Sequence, residues 1–152
     1  MENLVIAPYV GVGKVKFGMT PNQVAATWGL PESTGKTHLG GRVDFYADLN
    51  VGYSLDAAPM VNHVGGGKTL LQVELATIKL FVDEPISVIK RLFLLDSSAA
   101  TYLGFLVFLE LGISLTGFHD DDEDQKAFTA FERGSWDKRK MKLKKIDIDA
   151  LK

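Results

Sequence analysis

Gly18-Met19-Thr20-Pro21-Asn22-Gln23-Val24 opens a helix, and Phe81-Val82-Asp83-Glu84-Pro85-Ile86-Ser87-Val88 opens a second one 64 residues further along. The Thr20 hydroxyl is placed to accept from the backbone N–H three residues on, and Gln23 is placed to return the bond to the Thr20 N–H. Pro21 suits the first helical position, where an N–H would have no intrahelical partner. Gly29 closes the segment and Pro31 forbids its return, so the spacing predicts a helix over 21–28. Asp83-Glu84-Pro85 starts the second helix, which runs to about Leu95. Phe17, Pro21 and Val24 lie over Phe81, Pro85 and Val88, with Trp28 over Leu92.

Working outward, strand patterns follow each helix. Arg42 to Ala47 and Val51 to Leu55 alternate around Asp48-Leu49-Asn50, which is hairpin chemistry. Leu70 to Ala76 reads as a third strand, reached through Gly65-Gly66-Gly67 as a flexible turn. In the second half Tyr102 to Leu109 and Gly112 to Phe118 read as a hairpin, and Ala127 to Arg133 as a further strand. Leu4 to Val10, Val12 to Phe17 and Ile78 to Val82 read as extended segments ahead of the helices. Leu49-Asn50-Val51-Gly52-Tyr53-Ser54-Leu55 lies over Leu109-Glu110-Leu111-Gly112-Ile113-Ser114-Leu115 at an offset of 60, sharing Leu, Gly, Ser and Leu. Such self-similarity carries more weight than any local motif. The expected fold is therefore α+β: two helix-plus-three-strand repeats, about 12–76 and 78–136, forming a largely antiparallel sheet with the helices packed against it. Residues 137–152 are a basic tail. The apolar stretch Tyr102 to Phe118 is interrupted by Glu110 and by Gly and Ser, so it reads as a buried hairpin and not as a membrane span.

The 152 residues are 46% hydrophobic and 24% charged, with 9 Phe, 4 Tyr and 2 Trp, which is enough apolar surface for a packed core and too short a chain for several. Zero cysteines exclude disulfides, thiolate nucleophiles and Cys-ligated metals. Glu2 stands where a secretory signal needs basic residues, and Pro8 breaks the apolar run, so the expected location is cytoplasmic. The net charge of −2 hides an asymmetry: residues 137–152 carry seven Lys/Arg against three Asp, and residues 1–136 carry ten against sixteen Asp/Glu. An acidic body argues against general nucleic-acid binding. The tail reads as a solvated extension, or, through the alternation of Met141-Lys142-Leu143-Lys144-Lys145-Ile146, as an edge strand guarded by its lysines.

Gly18-Met19-Thr20-x-x-x-Val24-x-x-x-x-Gly29-x-Pro31 resembles the opening motif of the BamE-like and SmpA-like small bacterial proteins, in which such a helix precedes a three-stranded antiparallel sheet. The tandem layout is similar to that of the beta-lactamase-inhibitory-protein family, where two such units form a concave sheet that grips an enzyme. Size, layout and an acidic patch together resemble the immunity proteins encoded beside antibacterial toxins. The resemblance implies a protein-binding role, with no cofactor.

Motifs that suggest other chemistry do not hold their spacing. A P-loop needs a Gly five residues before the Gly of its Gly-Lys-Thr, and the two triplets here have Leu30 and Asn62 there. Gly11-Val12-Gly13 lacks the third Gly and the helix of a dinucleotide fingerprint. His38, His63 and His119 have no metal-ligand spacing, and the run His119-Asp120-Asp121-Asp122-Glu123-Asp124 lacks the alternation of an EF-hand loop. No metal site and no catalytic constellation is expected. Asp120, Asp121, Asp122, Glu123 and Asp124 instead suit a partner-facing electrostatic patch on a hairpin loop. Tyr46, Tyr53 and Trp136 are candidate exposed aromatics of an interface. The expectation is a protein, not an enzyme, that neutralises a cognate toxin by occluding its active site. If that toxin is a nuclease with a basic groove, the acid run mimics phosphate. No direct nucleic-acid or membrane binding is expected. The competing expectations are a small ligand-binding or enzymatic domain with a pocket between the repeats, and a structural or assembly module.

Overall fold

The computed structural model describes residues 3–151. It is an α+β arrangement of two helices and two mostly antiparallel sheets. The chain begins with three short strands, β1 (Leu4–Ala7), β2 (Gly11–Val12) and β3 (Val15–Lys16), then α1 (Pro21–Trp28). Next come β4 (Ser33–Lys36), β5 (Arg42–Tyr46), β6 (Leu49–Tyr53) and β7 (Val61–Gly67). A second hairpin, β8 (Val73–Leu75) and β9 (Ile78–Lys79), leads into α2 (Pro85–Leu95). Then follow β10 (Ala100–Tyr102), β11 (Phe105–Phe108), β12 (Ile113–Thr116), β13 (Ala127–Phe131) and β14 (Lys144–Lys145). Among the described residues no helix is long and apolar enough to cross a membrane.

Both helices start as their sequences require. Thr20 Oγ1 accepts from the Gln23 N–H at 3.2 Å, Gln23 Oε1 accepts from the Thr20 N–H at 2.9 Å, and Gly29 ends α1 at φ 85°. At α2 the Glu84 carboxylate accepts from the Ile86 and Ser87 N–H groups, each at 2.9 Å. Val24 of α1 and Val88, Ile89 and Leu92 of α2 are buried.

The larger sheet has nine strands in the order β14-β10-β11-β12-β13-β7-β6-β5-β4, all antiparallel. The smaller has five, β3-β2-β1-β8-β9, with β1 and β8 parallel. One core lies between the layers. Leu4, Ile6, Val12, Val15, Val73 and Ile78 reach it from the small sheet, and Val51, Val64, Leu106, Ile113, Leu115 and Phe128 from the large one. Period-two alternation then leaves the other face of the nine-stranded sheet without a helical cover.

Several sequence expectations are corrected. More than three strands of the large sheet follow each helix, β4 to β7 after α1 and β10 to β14 after α2; β4 escapes the sequence pattern because it is polar and exposed and carries no apolar alternation. Gly65-Gly66-Gly67 is not a turn: it is the end of β7, a central strand paired with β6 on one side and β13 on the other. At the first two of these glycines side chains are excluded. A Cβ on Gly65 would lie 2.8 Å from the Phe128 carbonyl oxygen, and one on Gly66 would lie 2.7 Å from that of Asp48. Only Val73–Leu75 of the expected strand 70–76 is extended, and it belongs to the small sheet. The β5–β6 turn is Ala47-Asp48, with Ala47 at φ 37°, so Leu49 and Asn50 are strand residues. The long extended segments expected before α1 are broken by turns into two- and four-residue strands.

The basic segment is folded. Lys144–Lys145 pairs with β10 as the edge strand, while Lys140–Lys142 is a 3-10 turn and not part of that strand.

Candidate functional site

The open face of the large sheet is floored by glycine, polar and apolar side chains drawn from strands remote in sequence. One cross-strand row reads Val107, Ser114, Thr129, Gly65, Asn50, Phe45. The next reads Phe131, His63, Gly52, Val43. Gly52 is needed where it stands, since a Cβ there would overlap the His63 imidazole. His63 Nδ1 lies 2.7 Å from Asn62 Oδ1, and burial lowers the imidazole's pKa. The ring is therefore neutral near pH 7, donates through Nδ1 to Asn62 and keeps a lone pair on Nε2.

Residues 132–143 fold back over the second half of this face. Trp136 closes it, 7% exposed, packed edge-on against Tyr102 and Phe105 at centroid separations of 5.9 and 6.1 Å and tilted on Phe131. Val107, Phe131 and Trp136 form a small second core, joined by Tyr9 and Leu143. The Tyr9 hydroxyl donates to the Leu109 carbonyl, which ties the β1–β2 turn to this cluster. Over the first half no such segment lies. The result is a groove of about 640 Å³. Its floor includes His63, Ser114, Thr129 and Phe131, one wall is Arg133 to Trp136 with Arg139, and the far wall is Thr37 to Leu39 with Leu55. Leu39 and Leu55 are 72% and 68% exposed. Glu132 also lines the groove, and its carboxyl is pushed above the ordinary range by burial, with nearby Asp56 adding to the shift.

Arg133 and Arg139 are held flat. The Arg133 guanidinium stands 4.4 Å from the Tyr9 ring centroid and that of Arg139 4.0 Å from the Trp136 ring. Residues 132–145 hold seven Lys/Arg against Glu132 and Asp137. Among the described residues none of the seven forms an ion pair, whereas Arg42, Lys68, Arg91 and Lys126 do.

The residues singled out from sequence fall into three settings. Asp120 to Asp124 are exposed on the loop between β12 and β13. This loop is tied down: Glu123 pairs with the buried Lys126 at 3.3 Å, Asp124 approaches Lys68 at 3.8 Å, and Thr116 Oγ1 donates to the Gln125 carbonyl at 2.7 Å. Asp120, Asp121 and Asp122 have no such cation among the described residues. Tyr46 is half-buried, edge-on to Trp28 at 6.0 Å, and its hydroxyl donates to the Gly29 carbonyl. Tyr53 and Trp136 are not exposed aromatics. Tyr53 is 3% exposed because it follows Leu49 and Val51 at period two on the core face of β6, where its hydroxyl donates to Asp44 at 3.2 Å. Trp136 still forms part of a groove wall.

Two carboxylates are wholly enclosed, and both serve the fold. Asp44 accepts from Thr34, Tyr53 and the Arg42 guanidinium, which clamps β4, β5 and β6 together. Asp96, at the end of α2, accepts from the Ser98, Glu110 and Leu111 N–H groups and fixes the β11–β12 turn to the helix. Among the described residues no group of three or more His, Cys, Asp or Glu is arranged to hold a metal ion.

Sequence reasoning placed the acidic loop and missed the groove. His63, Arg133 and Arg139 are far apart along the chain, and the only trace of the wall was the density of lysine and arginine after residue 132. Comparison with protein-family models, with curated proteins and with solved structures finds no match to this chain.

Proposed function

We propose that the chain is a protein-binding inhibitor of the immunity type, which neutralises a cognate toxin in the bacterial cytoplasm by covering its active site. The observation that carries this reading is the open face of the nine-stranded sheet, where a groove floored by His63, Ser114, Thr129 and Phe131 is walled by Arg133 to Trp136 and rimmed by exposed Leu39 and Leu55. A preformed sheet face with mixed polar and apolar rims suits a protein partner, because little entropy is lost when the partner docks. The acidic loop supports the same reading. It stands at the start of β13 while Arg133 follows its end, so the two charge signs are separated by a five-residue strand, about 17 Å. Such a field orients an approaching partner.

The two halves are read as a repeat in the manner of the tandem inhibitory proteins. A hairpin, a Pro-initiated helix and four antiparallel strands occur in that order twice, and the last strands of the two sets, β7 and β13, pair at the middle of the sheet. A second reading, a small-molecule binding protein, is favoured by the groove's position across β7 and β13, where those sets meet.

The test is co-expression with the product of the neighbouring reading frame. The expected result is rescue of growth together with a stoichiometric complex. A neighbour whose product is harmless, or is toxic and forms no complex, defeats the reading.

A further inference from the structure

We propose that the groove receives an extended acidic segment of a protein partner, its carboxylates clamped by Arg133 and Arg139 and its apolar side chains seated against Leu39 and Leu55. This rests on the reading of the chain as a protein binder and names the partner's chemistry at that face. Arg133 and Arg139 lie on one groove wall, each with its guanidinium carbon over an aromatic ring. Stacking restricts the side chain and leaves the N–H edges to hydrogen-bond, and a guanidinium edge matches a carboxylate in bidentate geometry. Apart from a 3.4 Å contact from Arg139 to the Ser135 carbonyl, neither guanidinium has an oxygen partner among the described residues. Five further cations of residues 132–145 are likewise outside ion pairs there, so this edge of an otherwise acidic protein carries a concentrated net positive field, seven Lys/Arg against Glu132 and Asp137.

The same groove disfavours a continuous polyanion. Glu132 lines it and Asp56 is close enough to raise the Glu132 pKa, so a phosphate at every position meets repulsion in the floor. A peptide whose carboxylates alternate with apolar residues places charge only at the arginine wall. Its other face meets Leu39, Leu55 and Phe105. Ser114 and Thr129 hydroxyls and the His63 Nε2 lone pair offer hydrogen bonds to the peptide backbone between them.

The test is fluorescence anisotropy with a labelled, end-blocked peptide of four Glu-Leu repeats, a Lys-Leu counterpart and a single-stranded DNA of similar length, at low and at physiological salt. The expected result is binding of the Glu-Leu peptide alone, weakened by salt and weakened about tenfold or more in Arg133→Gln/Arg139→Gln. Because Arg139→Gln also removes the contact over the Trp136 ring, Leu39→Ser/Leu55→Ser, which alters only exposed side chains, provides a second arm and should weaken the same peptide. Absence of Glu-Leu binding at low salt, binding unaffected by either variant, or DNA binding as tight as the peptide's overturns the proposal. A cognate complex whose affinity is untouched by Arg133→Gln/Arg139→Gln removes this inference and leaves the inhibitor reading standing, while a peptide that binds in the absence of any cognate complex does the reverse.

Discussion

Gly66→Ala sets two accounts of one glycine run against each other. In a flexible linker, replacing Gly by Ala removes unfolded-state freedom and stabilises by about 0.4–1 kcal/mol. In β7 the new methyl would meet the Leu70 side chain and would lie 2.7 Å from the Asp48 carbonyl oxygen. Leu70 is half-buried and its tip can move. The Asp48 carbonyl cannot, because it also accepts from the Gly67 N–H at 3.1 Å and belongs to the tight β5–β6 turn. Overpacking of this kind costs about 1–3 kcal/mol, so after the entropic gain the net loss is about 1–2 kcal/mol. For a chain of this length that lowers Tm by roughly 2–8 °C. Gly65→Ala should behave alike, given the Phe128 carbonyl oxygen at 2.8 Å. Gly67→Ala is the control, since nothing lies within 4 Å of its Cβ position, and it should raise Tm by roughly 1–4 °C. Thermal and urea melts of the three single variants decide the matter. Three variants all as stable as the parent, or more so, would refute the central-strand assignment and restore the linker.

Trp136→Ala should cost about 3–5 kcal/mol, with loss of the near-UV circular dichroism of its aromatic cluster; an unchanged melt would mean that residues 132–143 do not cover the sheet. Glu132 has its folded pKa raised, so the stability it permits is complete below the ordinary glutamate pKa and is lost as pH rises through the folded value. Glu132→Gln should therefore be more stable than the parent at pH 7 and equal to it near about pH 4, as followed by urea titration. Glu84 has the opposite sign: the Ile86 and Ser87 N–H groups hold its pKa down, so its contribution is present above the ordinary glutamate pKa and lost as pH falls through the folded value. Glu84→Gln should flatten the acid limb of the stability curve. Asp121→Asn/Asp122→Asn should change stability by less than about 0.5 kcal/mol while slowing association with a cognate partner at low salt; an association rate indifferent to both salt and substitution would take the loop out of the interface.

The helices were legible because their signals are local. Thr20-Pro21 and Glu84-Pro85 act through bonds to residues two or three positions away, and no distant contact competes with them. The β11–β12 hairpin was legible for a similar reason, its apolar run bounded by turn residues, but the expected strand Tyr102 to Leu109 is broken by a Leu103-Gly104 turn into the end of β10 and β11. Gly65-Gly66-Gly67 was not, since a glycine in a strand emits no alternation and its requirement comes from Asp48 and Phe128, which are remote in sequence. β4 was missed because an exposed edge strand has no buried face to pattern. Tyr53 and Trp136 were read as surface aromatics; the face that β6 turns to the core in one case and a returning segment in the other buried them. The groove had no local signature: His63, Thr129 and Arg139 meet only after β7 and β13 have paired.

That pairing has a consequence for synthesis. The β7–β13 ladder joins residues 60 to 68 apart, from Gly67 with Ala127 to His63 with Phe131, and the β1–β8 ladder joins Leu4 to Val73 across 69. When a ribosome has delivered the first half, β7 is the bare edge of a growing sheet, and β13 follows only after about 3–12 s at about 5–20 residues per second. An edge waiting that long is a template for pairing with another nascent chain. Glycine has among the weakest strand propensities, so ending this strand in three of them makes the exposed edge a poor template until β13 arrives. Gly65 and Gly66, which the finished sheet requires for close packing, thus also protect the unfinished one.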